Sequence, residues 1–220
     1  MTQPLVYKVL CLHGYRQDAK AFKTKTGGFR KVLKNKIEFV FIDAPHIINQ
    51  GEQNPEGDDS CLSWWFSGEN PDYFSSKHVS DYVKGFDESI QKVNEAFINM
   101  GPFDGILGFS QGGSLVALIC LLKHFGEFEH DFKFAILSSA FKSLTSSHVA
   151  LFNRLNGDKI EIPTLHIIGQ NDQVVEHSRS ESLANEYFNN PTIVLHPGGH
   201  TVPSQTSFRD KYLDFLSLVE

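Results

Sequence analysis

Three residues, Ser110, Asp172 and His200, are of the types that nucleophilic acyl chemistry requires. Ser110 lies in Gly108-Phe109-Ser110-Gln111-Gly112, a Gly-x-Ser-x-Gly pattern. Such a pattern marks a sharp strand-to-helix turn with a serine hydroxyl at its tip, and glycines where side chains would strike the strand or the helix. Ile106 and Leu107 before it are strand-like. Leu115, Val116, Leu118, Ile119, Leu121 and Leu122 after it are apolar on nearly every face, as in a helix buried against a sheet. Serine is a weak nucleophile at neutral pH, so a base must take its proton during attack and return it to the leaving group. Imidazole suits both steps, and His200, in the loop Pro197-Gly198-Gly199-His200, is assigned as that base. Asp172, in Gly169-Gln170-Asn171-Asp172, would hold the imidazole tautomer without itself accepting the proton. Each residue also has a blander role open to it: a helix N-cap for Ser110, an Asx-turn for Asp172, a backbone-bonded loop histidine for His200.

A tetrahedral intermediate also needs two fixed donors for its oxyanion. The backbone N–H after the nucleophile, that of Gln111, supplies one, and the loop His13-Gly14-Tyr15 supplies the other, with the Tyr15 N–H the best candidate. His166, inside a predicted strand, and His177 and His196, elsewhere along the chain, are rival bases. The i, i+4 spacing of His196 and His200 could suggest a metal pair, but Pro197, Gly198 and Gly199 exclude the helix that such spacing needs. Neither a metal nor a cofactor is expected.

The elements that must position these residues follow a simple alternation. Apolar runs predict strands over 6–12, 38–43, 104–109, 134–137, 164–168 and 192–195. A broken helix with a basic, solvated face is expected over 18–35, interrupted at Gly27-Gly28. Tyr82, Phe86, Ile90, Val93 and Phe97 predict an amphipathic helix that ends near Met100-Gly101-Pro102, and further helices carry Leu183 to Phe188 and Phe208 to Val219. Short apolar strands alternating with helices indicate an α/β fold with a mostly parallel sheet of about six strands, helices covering both faces. In such sheets functional loops gather at the carboxyl ends of the strands, and Ser110, Asp172 and His200 each follow a strand. A single domain spanning 1–220 is expected, with insertions at about 46–80 and 141–162, and no internal repeat.

Composition narrows the function classes. With 40% hydrophobic and 12% aromatic residues, the 220-residue chain can bury a sizeable core. A formal charge of −6 and the absence of any long Lys or Arg run give no footprint for a nucleic-acid backbone or an anionic membrane. Cys11, Cys61 and Cys120 form neither a disulfide framework nor a zinc spacing. The chain contains neither a signal-peptide pattern nor an apolar run long enough to span a membrane, which points to the cytoplasm without excluding the nucleus. The pattern specifies no oligomeric state.

Beyond these single features, five stretches resemble a known family: Val9 to Gln17, Lys25 to Lys31, Trp64-Trp65-Phe66, Gly101 to Gly112, and Pro197 to His200. The chain is similar, over nearly its whole length, to the serine hydrolases of the fungal FSH and animal ovarian cancer-associated protein 2 type. The resemblance implies an α/β-hydrolase core, Ser110, Asp172 and His200 as triad, and carboxylesterase or related acyl-hydrolase activity. Gly113 departs from the alanine expected in many relatives, at a cost of about 1 kcal/mol to the helix.

Substrate is expected to be a small ester with a medium- to long-chain aliphatic acyl group. Trp64, Trp65 and Phe66, with Tyr73 and Phe74 in the first insertion and Phe141 in the second, could wall an apolar site over Ser110; the same aromatics could equally plug the insertions onto the core. An acyl thioesterase uses the same residues with a thiol leaving group. A noncatalytic binding module on the same fold is the alternative from a different class.

Overall fold

The computed structural model describes residues 6–48 and 61–220. Residues 49–60, which fall within the first predicted insertion, lie outside the described residues, as do 1–5. In chain order the elements are β1 (Tyr7–Leu12), α1 (Ala19–Lys25), α2 (Gly27–Leu33), β2 (Ile37–Ile42), β3 (His46–Ile47), β4 (Leu62–Ser63), α3 (Phe86–Met100) and β5 (Gly105–Phe109). There follow α4 (Gln111–His124), β6 (Phe134–Ser138), α5 (Ser146–Asn153), β7 (Thr164–Gly169), α6 (His177–Tyr187), β8 (Thr192–His196) and α7 (Arg209–Leu218).

Six strands form one sheet in the order β2-β1-β5-β6-β7-β8, every pair parallel. This is the parallel six-stranded sheet that the alternation of strands and helices implied, and it fits the α/β-hydrolase core that the family resemblance implied. β5, β6 and β7 are buried at every position, whereas the edge strands β2 and β8 are only partly covered. This explains why the central strands read as unbroken apolar runs. The chain moves one way from β1 to β2 and the other way from β5 to β8, and right-handed crossovers therefore send the helices to opposite faces. Phe22 of α1, Phe29 and Leu33 of α2, and Tyr212, Phe215 and Leu216 of α7 pack in one core. Val93 and Phe97 of α3, the apolar residues of α4, Phe152 of α5 and Leu183 of α6 pack in the other. The direction of travel reverses between β1 and β5, and a crevice opens at such a reversal, outside the carboxyl ends of the strands.

Two differences from the sequence reading have local causes. The second insertion contains a helix that the apolar pattern did not predict: Ser146–Asn153 is too short for its periodicity to stand out. The α3 helix begins at Phe86, not Tyr82, because Gly85 at φ 87° turns the chain just before it.

Candidate active site

Ser110 stands at the tip of the β5–α4 turn with φ 54° and ψ −116°, a backbone geometry that L residues rarely adopt. The surrounding backbone leaves no room for relaxation. A Cβ on Gly108 would overlap the Gly112 carbonyl, and one on Gly112 would overlap the carbonyl oxygens of Leu12 and His13. The two glycines therefore let the helix start against the strands on either side of the serine. The Ser110 N–H donates to the Ser138 carbonyl at 2.9 Å, and the Ser114 N–H donates to the Ser110 carbonyl at 2.9 Å, pinning the turn from both sides.

His200 and Asp172 reach this turn from the last two strands. The loop 197–199 lies directly on the end of β7: the Asn171 N–H donates to the Gly198 carbonyl at 3.1 Å, the Asn171 side-chain amide to the Pro197 carbonyl at 2.7 Å, and a Cβ on Gly169 would overlap the Gly199 carbonyl. His200 Nδ1 then lies 2.7 Å from Asp172 Oδ2, and His200 Nε2 lies 3.0 Å from Ser110 Oγ. The other Asp172 oxygen, Oδ1, accepts from the N–H groups of Val174 at 2.9 Å and Val175 at 2.8 Å. Burial pulls Asp172 toward the neutral acid, but hydrogen bonds from His200 and from the Val175 and Val174 amides outweigh it and hold the carboxyl below its ordinary range. An ionised Asp172 requires the proton on His200 Nδ1, which leaves Nε2 to accept from the serine hydroxyl. The Phe109 ring packs on the imidazole with centroids 4.8 Å apart. The arrangement can take the serine proton while the oxygen attacks a carbonyl.

A cleft of about 380 Å³ opens over Ser110. Gly14, Tyr15 and Gln17 line one side, Phe74 to Lys77 and Val174 another, and Phe109 and His200 complete it. A second cleft of about 370 Å³ shares Gln17, Phe109 and His200 and continues past Lys25 and Thr26 to Val202. Phe74, Val174, Gln17 and Phe109 thus face the site. Of these only Phe74 stood out in the sequence as a wall residue; Val174 carried no signal, being one apolar residue in a turn.

Trp64, Trp65, Phe66 and Phe141 do not line this cleft, contrary to the expectation of an aromatic wall. All four are at most 3% exposed and belong to the core beneath it. Their burial has a purpose in hydrogen bonding. The Trp64 indole N–H donates to the His13 carbonyl at 2.8 Å, and the Trp64 amide donates to Gln111 Oε1 at 3.0 Å. Gln111 Nε2 donates to the Trp65 carbonyl at 2.8 Å. The Phe141 carbonyl accepts from Ser114 Oγ at 2.6 Å, and its ring lies under the Arg179 guanidinium.

The loop after β1 is held as tightly. The Ala44 N–H donates to His13 Nε2 at 3.0 Å, so the ring's proton is on Nδ1, which lies 2.8 Å from the Gly14 carbonyl. Burial lowers the proton affinity of His13 and favours this neutral form. The Gly14 N–H donates to Gln17 Oε1 at 3.2 Å, and the Arg16 N–H to the Leu62 carbonyl at 3.0 Å. Among the described residues the Tyr15 N–H, between them, has no acceptor, and Tyr15 borders the cleft with Ser110. Gln111 is the first residue of α4, and its side chain is wholly buried. Among the described residues no cluster of His, Cys, Asp or Glu could hold a metal ion. No helix among them is long and apolar enough to cross a membrane.

The family model for serine hydrolase FSH1 matches residues 1–212. The chain belongs to the FSH1 serine hydrolase family. It is 41% identical to Esterase OVCA2 of Danio rerio over 221 residues, covering 95% of this chain and 96% of that protein. Esterase C25G4.2 of Caenorhabditis elegans is 38% identical, with 95% of this chain and 92% of that one covered. Among solved structures, acyl-protein thioesterase 2 of Zea mays superposes with a TM-score of 0.63 at 19% identity, covering 96% of this chain and 94% of that chain. SOBER1 of Arabidopsis thaliana gives 0.60, also at 19% identity, covering 96% and 99%. At that identity the structural matches speak for the fold alone. The family membership makes the chain a hydrolase.

Proposed function

We propose that this serine hydrolase is a carboxylesterase, one α/β-hydrolase domain that cleaves neutral esters with medium- to long-chain aliphatic acyl groups through an acyl-enzyme. The observation that carries the reading is the continuous hydrogen-bonded chain from Asp172 Oδ2 through His200 to Ser110 Oγ. In the first half-reaction, Ser110 Oγ bonds to the carbonyl carbon as its proton passes to His200 Nε2; the tetrahedral intermediate then collapses, and the imidazolium returns the proton to the departing alkoxide. In the second, a water molecule gives a proton to His200 Nε2 as its oxygen bonds to the acyl carbon; the tetrahedral intermediate then collapses, breaking the bond to Ser110 Oγ, which takes that proton back from the imidazolium as the carboxylic acid leaves. Asp172 stays ionised throughout and stabilises the imidazolium. The Gln111 and Tyr15 N–H groups are assigned to the oxyanion, and the apolar surfaces of Tyr15, Phe74, Phe109 and Val174 to the acyl chain.

The name esterase carried by relatives about 40% identical over almost their whole length supports the ester over other acyl substrates. The same residues would accept a thiolate leaving group, so the test includes matched thioesters. Turnover of p-nitrophenyl esters, with acyl chains from acetyl to palmitoyl, is measured for the wild type and Ser110→Ala. Serine-dependent turnover with an optimum beyond the shortest chains is expected. A preference for thioesters over esters of the same acyl chain would replace this reading with the thioesterase. No turnover of either by folded protein would overturn both.

A further inference from the structure

Residues 19–37 contain seven cations, Lys20, Lys23, Lys25, Arg30, Lys31, Lys34 and Lys36, and neither Asp nor Glu. The remaining 13 Lys and Arg stand against all 26 Asp and Glu. A protein with formal net charge −6 therefore concentrates positive charge in one segment. That segment folds into α1 and α2, which bury Phe22, Phe29 and Leu33 and leave Lys20, Lys23, Lys25, Lys31 and Lys34 exposed.

Between α2 and the start of α7 runs a groove of about 440 Å³ with Val32 and Leu213 on its floor and Lys31, Lys34, Lys36 and Arg209 at its rim. Its neutralisation is partial. Among the described residues Lys25, Lys31 and Lys34 pair with no carboxylate, while Lys36 lies 3.5 Å from Glu220 and Arg209 lies 3.8 Å from Asp210. Cations around an apolar floor suit anionic lipid headgroups above acyl chains; no aromatic residue lines the groove to stack on a nucleobase. One end of the groove approaches the site, while the other, at Lys34 to Lys36, lies at the amino end of β2. Gly28 abuts Ser204 in its wall, and Lys25 and Thr26, on the same connection, border the second cleft beside His200.

We infer that the α1–α2 face, with the start of α7, docks the protein onto an anionic lipid bilayer and so brings the cleft at Ser110 to the membrane surface. The docking stands apart from the hydrolase chemistry; only the delivery of a membrane-borne ester rests on the carboxylesterase reading. The test is co-sedimentation with vesicles of phosphatidylcholine alone and of phosphatidylcholine mixed with phosphatidylserine. The wild type binds the mixed vesicles and not the neutral ones, and is released near 1 M salt, where the Debye length falls to about 3 Å. Lys31→Glu with Lys34→Glu and Arg209→Glu weakens the partition by at least about tenfold. The corresponding Lys31→Arg and Lys34→Arg variant retains it, as does a control with Lys92→Glu and Lys159→Glu on other surfaces. Lys31→Gln with Lys34→Gln, a milder change, gives an intermediate loss and serves if the triple reversal does not fold. Turnover of a soluble short-chain ester, measured without vesicles, is unchanged in all these variants and reports on the esterase reading separately. Equal binding by wild type and the Lys31→Gln, Lys34→Gln variant, equal binding to neutral vesicles, or displacement from vesicles by duplex DNA at low concentration would overturn the docking.

Discussion

Replacing Asp172 by Asn separates the electrostatic role of this residue from its place in the fold. Asp172 has two sets of partners: Oδ1 accepts from the Val174 and Val175 amides, and Oδ2 faces His200 Nδ1 at 2.7 Å. An asparagine must satisfy the two backbone donors with its one oxygen, which directs its NH₂ group at His200. Two donors cannot share that contact, so the imidazole moves its proton to Nε2 and presents a donor, not an acceptor, to Ser110 Oγ. The opposite orientation would set the NH₂ against two backbone N–H groups, leaving buried donors unpaired at about 1–3 kcal/mol each. The variant therefore folds with the wrong tautomer. Loss of about 10⁴-fold in kcat is expected, or about 5 kcal/mol of transition-state stabilisation, with KM little changed. The assay is steady-state hydrolysis of a p-nitrophenyl ester by wild type, Asp172→Asn and Ser110→Ala, with thermal melts to show that the fold is kept. Activity of Asp172→Asn within tenfold of wild type would refute the assignment of Asp172 and the tautomer argument with it.

Four other outcomes follow from the packing. Trp64→Phe removes the indole donor to the His13 carbonyl and should cost about 2 kcal/mol in urea unfolding and lower kcat more than it raises KM, because the loop beside Ser110 is loosened. Gly112→Ala should destabilise by about 3 kcal/mol or more, since its methyl meets backbone oxygens of β1, whereas Gly27→Ala, with open space around it and no positive φ, should stabilise α2 by roughly 0.5 kcal/mol; differential melting of the two variants is the check. Burial pushes the Cys120 thiol up to about 12 and the Cys11 thiol higher still, so a thiol reagent should label only Cys61 in the native protein and all three cysteines in urea. Burial also lowers His148 to about 4 and His166 to about 3, so both stay neutral in the fold while the unfolded chain binds their protons below about 6.5; stability is complete above that pH and falls toward pH 4, by about 2 kcal/mol per histidine at pH 5, and a urea midpoint constant from pH 7 to 5 would contradict it.

The strand positions, and the placement of Ser110, Asp172 and His200 just after strands, were legible because each depends on a local signal. Unbroken apolar runs marked the buried strands, glycines marked the tight turns, and strand ends share one edge in any parallel sheet. The aromatic insertion was not legible in the same way. Trp64-Trp65-Phe66 reads identically whether it faces a substrate or a core, since composition reports burial and not the direction of burial. The choice is made by Gln111, whose buried amide accepts from the Trp64 N–H and donates to the Trp65 carbonyl, contacts across 47 and 46 residues of chain. The α5 helix escaped for another reason: at eight residues it spans about two turns, too few for a period to emerge.

Those contacts give the first insertion a role that an aromatic wall would not have. The two N–H groups assigned to the oxyanion belong to loops distant in sequence, after β1 and after β5, and nothing in either loop alone fixes their separation. The 62–65 segment bonds to both. It receives the Arg16 N–H at the Leu62 carbonyl, donates from Leu62 to the Gln17 carbonyl at 3.1 Å and from Trp64 to the His13 carbonyl, and holds Gln111 through its side chain. A rearrangement of this segment would shift one donor relative to the other, and an error of this kind weakens stabilisation of the tetrahedral intermediate more than it weakens ground-state binding. The buried Trp64 thus braces the loops at the carboxyl ends of β1 and β5, and the cleft takes its apolar surface from Tyr15, Phe74, Phe109 and Val174 instead.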